Sequence, residues 1–207
     1  MNYRYWRMGI IFCLVVMAAV AIAKNVAEPV FHDVIDSPAR MNNFAATTLL
    51  NDIALAGRRL VAVGPRGHIV YSDDQGKSWI QSATPVSSDL LSISFPTEKS
   101  GWAVGHDGVV LHTTDGGTSW TKQFDGRAAA QVMSTFYRDA QKSNPCELTN
   151  SLCLEVQRYL KEGPDKPFLS VWFENDTKGY IVGAFGIIFR TTDAGKSWVP
   201  LFDRVEN

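Results

Sequence analysis

The sequence predicts an all-β fold: three four-stranded antiparallel β-propeller blades, an incomplete propeller, with a two-helix insertion between the second and third. Three observations carry this. One block of about twenty residues recurs three times. Short apolar runs alternate with Gly- and Asp-rich turns inside each copy. The single long interruption between copies switches to helical spacing.

The repeat is explicit. The first copy runs from Leu60 through Val63-Gly64 to Ser72-Asp73-Asp74-Gln75-Gly76-Lys77-Ser78-Trp79. The second runs from Gly101 through Val104-Gly105 to Thr113-Thr114-Asp115-Gly116-Gly117-Thr118-Ser119-Trp120. The third runs from Tyr180 through Val182-Gly183 to Thr191-Thr192-Asp193-Ala194-Gly195-Lys196-Ser197-Trp198. Trp79 to Trp120 and Gly64 to Gly105 are both 41 residues; Trp120 to Trp198 and Gly105 to Gly183 are both 78. The third copy therefore keeps its internal register and is displaced by about one unit's length.

Each copy parses into strands. In the second, Leu90 to Phe95 is an apolar run with Ser interleaved, and Pro96 to Ser100 is a turn cluster. Gly101 to Gly105 is a strand, and His106-Asp107-Gly108 is a tight turn with a glycine free to take positive φ. Val109 to Thr113 is a third strand, and Trp120 opens a fourth. Four strands in some 40 residues is the size of a propeller blade. In the closing turn, the Asp carboxylate accepts hydrogen bonds from backbone N–H groups a few residues on. The Gly takes a conformation that resists a Cβ, and the Trp buries a ring between sheets. The expected structural set is Ser72, Asp74, Gly76, Ser78 and Trp79; Thr113, Asp115, Gly117, Ser119 and Trp120; Thr191, Asp193, Gly195, Ser197 and Trp198. One carboxylate per blade, spread around a ring, does not converge on a catalytic or metal site.

These residues are those of the Asp-box, or BNR, repeat. With Trp102-Ala103-Val104-Gly105-His106-Asp107-Gly108 before Thr113 to Trp120, the chain resembles the photosystem II stability/assembly factor family of seven-bladed propellers. It looks closest to the exported bacterial members outside photosynthesis. The resemblance spans about residues 31–202. It implies an assembly or scaffolding role without catalysis, and a protein partner in an envelope or membrane complex. Seven blades of about 41 residues need close to 290 residues, against 207 here. The expectation is an arc with an apolar sheet face and unpaired edges at its end, either part of a longer design or completed by another chain.

The ends and the interruption read separately. Residues 1–23 carry Arg4 and Arg7, an uncharged run from Met8 to Ala23, and Ala21-Ile22-Ala23 before Lys24. That is the pattern of a secretory signal peptide, and the run is short for a spanning anchor. Both readings put the body outside the cytoplasm, in the periplasm or on the periplasmic side of a membrane. The expected division is then a lead-in at 24–46, blades one and two at 47–124, the insertion at 125–167 and blade three at 168–207. In the insertion, Ala129, Val132, Phe136 and Ala140, with Met133 and Tyr137 beside them, and then Leu152, Val156, Tyr159 and Leu160, recur at helical spacing. Cys146 and Cys153 remain after the leader. On one helix their Cα atoms lie about 10 Å apart, too far to bond. A turn near Thr149-Asn150-Ser151 brings them together, so a disulfide stays open.

Other chemistries find little support. A formal charge of −1 lacks the basic excess of a nucleic-acid binder. His32, His68, His106 and His112 show no metal-site spacing. No phosphate loop or nucleophilic triad is present, and no cofactor or small-molecule substrate is inferred. The alternative is a glycan-binding protein or sialidase-like glycosidase fragment, which shares the Asp box but needs converging carboxylates and Arg side chains. Arg58 and Arg59 read as a solvated hairpin. Arg66 and His68, His106 and Asp107, and Ala184 and Phe185 occupy equivalent turns with unlike side chains, a pattern that fits a recognition face and fits unconstrained loops equally well.

Overall fold

The computed structural model describes residues 32–143 and 165–201, together with Arg158, Lys161 and Gly163. The segment 1–23, Cys146 and Cys153, and the second helical stretch over residues 152–160 lie outside the described residues, apart from Arg158 within that stretch. All the strands belong to the unit Asp33–Asn207.

Among the described residues, twelve strands form three four-stranded sheets, each a meander in chain order. The first holds β1 (Asp52–Ala56), β2 (Arg59–Val63), β3 (Ile69–Ser72) and β4 (Ile80–Gln81). The second holds β5 (Leu90–Ser94), β6 (Gly101–Gly105), β7 (Val110–Thr113) and β8 (Thr121–Phe124). The third holds β9 (Phe168–Phe173), β10 (Gly179–Gly183), β11 (Ile188–Thr191) and β12 (Val199–Pro200). Every pairing within them is antiparallel. Between sheets the packing is carried by the first strands: β5 lies against β1 and β2, and β9 lies against β5 and β6. The second and third sheets are thus neighbours despite the insertion. An incomplete all-β propeller is what these sheets make.

Two cores fill the gaps, and strand periodicity builds them. Val61, Val63 and Ile69 of the first sheet meet Leu90, Ile93, Ala103, Leu111 and Trp120 of the second. Trp102, Val104, Val110 and Phe124 from the other side of the second sheet meet Phe168, Val171, Phe173, Ile181, Phe189 and Trp198 of the third. Aromatic rings dominate this second core. Trp102 stacks on Phe173 with centroids 3.6 Å apart.

Close approach explains one glycine. A Cβ on Gly105 would overlap the Asp89 carbonyl where β6 ends beside β5. That carbonyl accepts the His106 N–H at 2.8 Å, so it is held in place.

The helix α1 (Gly126–Ser143) follows β8 directly. Its buried positions are Ala129, Ala130 and Met133, while Val132 is half-buried and Phe136 exposed. Of the described members of the expected stripe, Ala129 and Met133 are the buried ones, because the helix packs on β12 and the His106–Gly108 turn. Asp125 caps it, its Oδ1 accepting from the N–H groups of Arg127 and Ala128 at 3.0 and 3.1 Å.

The lead-in also has structure. Ile35 is fully buried in the core between the first two sheets. Asp36 beside it accepts from Lys122 and Arg127, which also reach Asp125. Ala45 packs on Ala62 and Val70, on the side of the first sheet turned away from the second.

Candidate functional site

Two rims follow from the strand order. The β3–β4 turns and the first hairpins lie at one end of the sheets. The β2–β3 turns and their equivalents lie at the other.

The first rim carries the repeated carboxylates. In the second blade, Asp115 Oδ1 accepts from Thr113 Oγ1, Thr118 N and Ser119 N at 2.8, 2.9 and 3.0 Å. Its Oδ2 accepts from Ser119 Oγ at 2.6 Å. Thr113 Oγ1 in turn accepts from Gly117 N at 3.0 Å. Asp74 is held in the same way by Ser72 and Ser78, and Asp193 by Thr191 and Ser197. Gly76, Gly117 and Gly195 all have φ between +77° and +86°, the left-handed region that a Cβ disfavours. The tryptophans then diverge. The indole N–H groups of Trp79 and Trp120 donate to the Gly76 and Gly117 carbonyls at 3.2 Å. That of Trp198 is buried with no acceptor among the described residues. Trp120 and Trp198 lie in the inter-sheet cores; Trp79 is half-buried on the outward side of the first sheet.

These contacts set the acidity of the boxes. Hydrogen bonds from the Ser78 hydroxyl, the Ser78 N–H and the Ser72 hydroxyl lower the Asp74 pKa to about 2. At Asp115 partial burial opposes ionisation, but the bonds from Ser119, Thr113 and Thr118 outweigh it and hold the pKa below the ordinary value. The Ser197 hydroxyl does most of the same for Asp193. A general acid at neutral pH needs the opposite shift. Each folded pKa lies below its unfolded counterpart. The stabilisation is therefore complete above about pH 4 and is lost as pH falls through the folded values. Melting temperature is expected to hold from pH 7 to about 4.5 and to drop steeply toward pH 2. A flat profile across that limb would contradict the role assigned to the boxes.

The residue before each box glycine is also left-handed: Gln75 at +64°, Gly116 at +69° and Ala194 at +62°. Gln75 is exposed and Gly116 shows what the turn prefers. Gln75→Gly is expected to raise stability by about 0.5 kcal/mol, strain relief of ~1 kcal/mol less the added freedom of the unfolded chain. Chemical denaturation reads this directly.

Arg59 is the residue that sequence reading placed wrongly. It is no solvated hairpin tip. Its guanidinium donates to Asp73 at 2.7 and 2.9 Å, and to Gly116 O and Thr118 Oγ1 of the next blade. It also lies over the Tyr71 ring at 4.2 Å. It buckles two neighbouring Asp-box turns together.

The opposite rim carries the candidate recognition residues. In each blade the turn pairs a non-glycine and a glycine in the left-handed region: Arg66-Gly67, Asp107-Gly108 and Phe185-Gly186, the first members at +56°, +59° and +61°. The same bonds close all three, as in Gly64 N to His68 O and His68 N to Pro65 O. The rim is tied to adjacent strands. Arg66 N donates to Asp89 Oδ1 at 2.7 Å, and Leu90 N to Gly64 O. Phe185 is 66% exposed, and the Lys166 ammonium lies 5.1 Å from its ring centroid. Three fixed apices thus present a cation, an anion and an aromatic ring. Sequence predicted the glycines but not the strained residue before each.

Among the described residues no cluster of His, Cys, Asp and Glu is placed to hold a metal. His112 is engaged at both nitrogens, by Ser100 and Gln123, and burial lowers its pKa. His68 Nε2 meets the Asn42 amide at 3.2 Å. A cleft of about 420 Å³ opens on the outward side of the first sheet between Met41, Asn42, Trp79 and Gln81. Its lining includes no carboxylate and no arginine. The side-chain amides of Asn42 and Gln81 both donate to the Arg40 carbonyl, and Gln81 Oε1 accepts from the Asn42 backbone N–H.

A propeller-type arc of Asp-box blades is the class these features define. Residues 34–127 match the model of the family described as photosynthesis system II assembly factor YCF48. Over 133 residues the chain is 29% identical to the photosystem II assembly lipoprotein Ycf48 of Picosynechococcus sp., covering 60% of this chain and 29% of that protein. It is 35% identical over 66 residues to the same-named protein of Synechococcus sp., covering 30% and 20%. The chain spans less than a third of the length of these curated relatives. A solved structure of YCF48 bound to D1 peptide superposes with a TM-score of 0.50 at 23% identity, over 75% of this chain and 41% of that one. The family match and the curated relatives support a photosystem II assembly factor-like family for this chain; the superposition shows the propeller fold.

Proposed function

We propose that the chain is an exported, non-catalytic scaffold that assists an envelope protein complex by holding a protein segment on its turn rim. One observation carries the reading: Arg66, Asp107 and Phe185 sit at equivalent left-handed apices, rigidly closed, with unlike side chains and an exposed phenyl ring. Strained, over-determined backbone of this kind collects at recognition surfaces, and turns on a rigid scaffold are where binding residues concentrate. Unlike apices give specificity along an extended segment, which a ring of identical turns would not. The related YCF48 has been solved with a bound peptide, and the curated relatives are named assembly lipoproteins. Both support a protein ligand and a place at a membrane.

A photo-reactive side chain at position 185, installed in cells, is expected to give discrete protein adducts. The same group at exposed Lys178 on the Asp-box rim is expected to give none. Arg66→Ala should reduce the adducts about tenfold, the usual cost of an interface anchor. Equal labelling from both rims would overturn the assignment, and so would adducts confined to cytoplasmic proteins.

A further inference from the structure

At the turn rim, each gap between neighbouring sheets is an apolar socket with a filler. Between the second and third sheets the filler is α1, which follows β8 directly and puts Ala129, Ala130 and Met133 into the core. Between the first and second it is the lead-in, which puts Ile35 into the core with Val86, Leu90 and Val109. This filler is a single turn of 3-10 helix, Val34–Asp36, separated from β1 by residues 37–51.

Its contacts are those of a bound peptide. Along one side its backbone pairs with the connector between β4 and β5: Ser87 N donates to Val34 O at 2.8 Å, and Ala39 N to Thr84 O at 3.0 Å. Along the other side Lys122 Nζ donates to Ile35 O at 2.7 Å and to Asp36 Oδ1 at 2.9 Å. Arg127 reaches both carboxylate oxygens of Asp36 at 2.9 Å. The segment also runs between two apices. A Cβ on Gly67 would come within 3.2 Å of the Ala39 Cβ, and one on Gly108 within 2.7 Å of Gly126 at the start of α1. The hold on it is light. Of residues 33–40 only Ile35 and Ala39 are buried. The Asp36 and Arg127 side chains are 49% and 47% exposed, where an ion pair contributes little. Segments with few buried contacts open at far lower cost than the whole fold.

We propose that this socket is a docking site for an apolar residue followed by an acid in a protein ligand, and that residues 33–39 fill it in cis as a releasable strap. The proposal rests on the rim reading above and gives the ligand segment its chemistry. A branched apolar side chain takes the place of Ile35, and the carboxylate after it lies between Lys122 and Arg127. A ligand that engages both Arg66 and Asp107 crosses the strap, and gains the socket by displacing it. While the strap is closed, apparent affinity falls in proportion to the fraction of molecules that are open.

The probe is a fluorescein-labelled peptide of residues 32–40, read by fluorescence anisotropy against the full chain. In Ile35→Asp the strap loses its buried anchor, while every residue lining the socket is kept. This variant is expected to bind the peptide about tenfold more tightly than the wild type, whose own strap competes. Peptides carrying Ile35→Asp or Asp36→Lys should lose the binding, and Lys122→Ala in the Ile35→Asp chain should weaken it several-fold. Where circular dichroism shows Ile35→Asp to be unfolded, Asp36→Lys in the chain, which alters an exposed side chain, takes its place. In cells, adducts from the photo-reactive group at position 185 should rise several-fold in the strap variant. Equal peptide affinity in variant and wild type, or no binding by a folded variant, would overturn the proposal. Adducts that fall or stay level would overturn the ligand's use of the socket. Absence of adducts from both chains, with peptide binding intact, would instead sink the rim reading and leave the socket established by the peptide.

Discussion

Trp102→Ala is expected to lower stability by about 4 kcal/mol, within the range for removing a buried aromatic side chain. Most domains are stable by only ~5–15 kcal/mol, so this is a large share. Three contacts account for it. Trp102 is fully buried; its ring stacks on Phe173 of the next blade and on His112 of its own, with centroids 3.6 and 4.5 Å away; and its indole N–H donates to Gln123 Oε1 at 3.0 Å. Gln123 spends its amide N–H on the Ala194 carbonyl of the third blade. Truncation therefore leaves a cavity between the second and third sheets and deprives a part-buried oxygen of its donor. The third sheet should loosen first. Denaturant unfolding followed by near-UV circular dichroism should show a lower midpoint and a broadened transition, as the third blade uncouples. Trp102→Phe keeps the stack and should cost about 1–2 kcal/mol. A loss under 1 kcal/mol for the alanine variant would mean that the two blades are held together elsewhere.

The same residue shows what local sequence conveys. Trp102 was legible as a strand residue, because Gly101 to Gly105 is bounded by turns and repeats twice more. That it bridges two blades was not legible, since Phe173 lies 71 residues on, across the insertion. The Asp boxes were readable in detail for the opposite reason: nearly every bond they make spans two to four residues. Arg59 was misread because its partners in the second blade are 57 and 59 residues away. Lys122, bonded to Asp36 across 86 residues, gave no signal at all. Which members of the helix stripe are buried was not legible for a related reason. Periodicity finds an apolar stripe, but the neighbouring turn at His106–Gly108 and β12 decide which part of it is buried. On the turn rim, glycine announced positive φ, yet nothing local announces that Arg66, Asp107 and Phe185 share it.

Asp115→Ala should cost about 2 kcal/mol, and its pH dependence separates a turn-holder from an ordinary surface acid. The carboxylate accepts four hydrogen bonds within its turn. Bonds to a charged group contribute about 1.5–3 kcal/mol each when sheltered. Here the turn is exposed, and water satisfies much of what the alanine leaves, which brings the sum down to about one full bond. The loss reaches the core because Trp120, 5% exposed, is positioned by the same turn. Trp79 is only half-buried, so Asp74→Ala should be the milder change. Asp115→Asn keeps one acceptor oxygen and should fall between alanine and wild type. The wild type's advantage over Asp115→Ala exists only while the carboxylate is ionised. It should be constant from pH 7 to about 4.5 and shrink as pH falls through the lowered folded pKa. Denaturation of both proteins at pH 7, 4 and 2.5 measures that convergence. A gap that persists at pH 2.5 would show that Asp115 acts through its shape or packing, and that the anion is not what closes the turn.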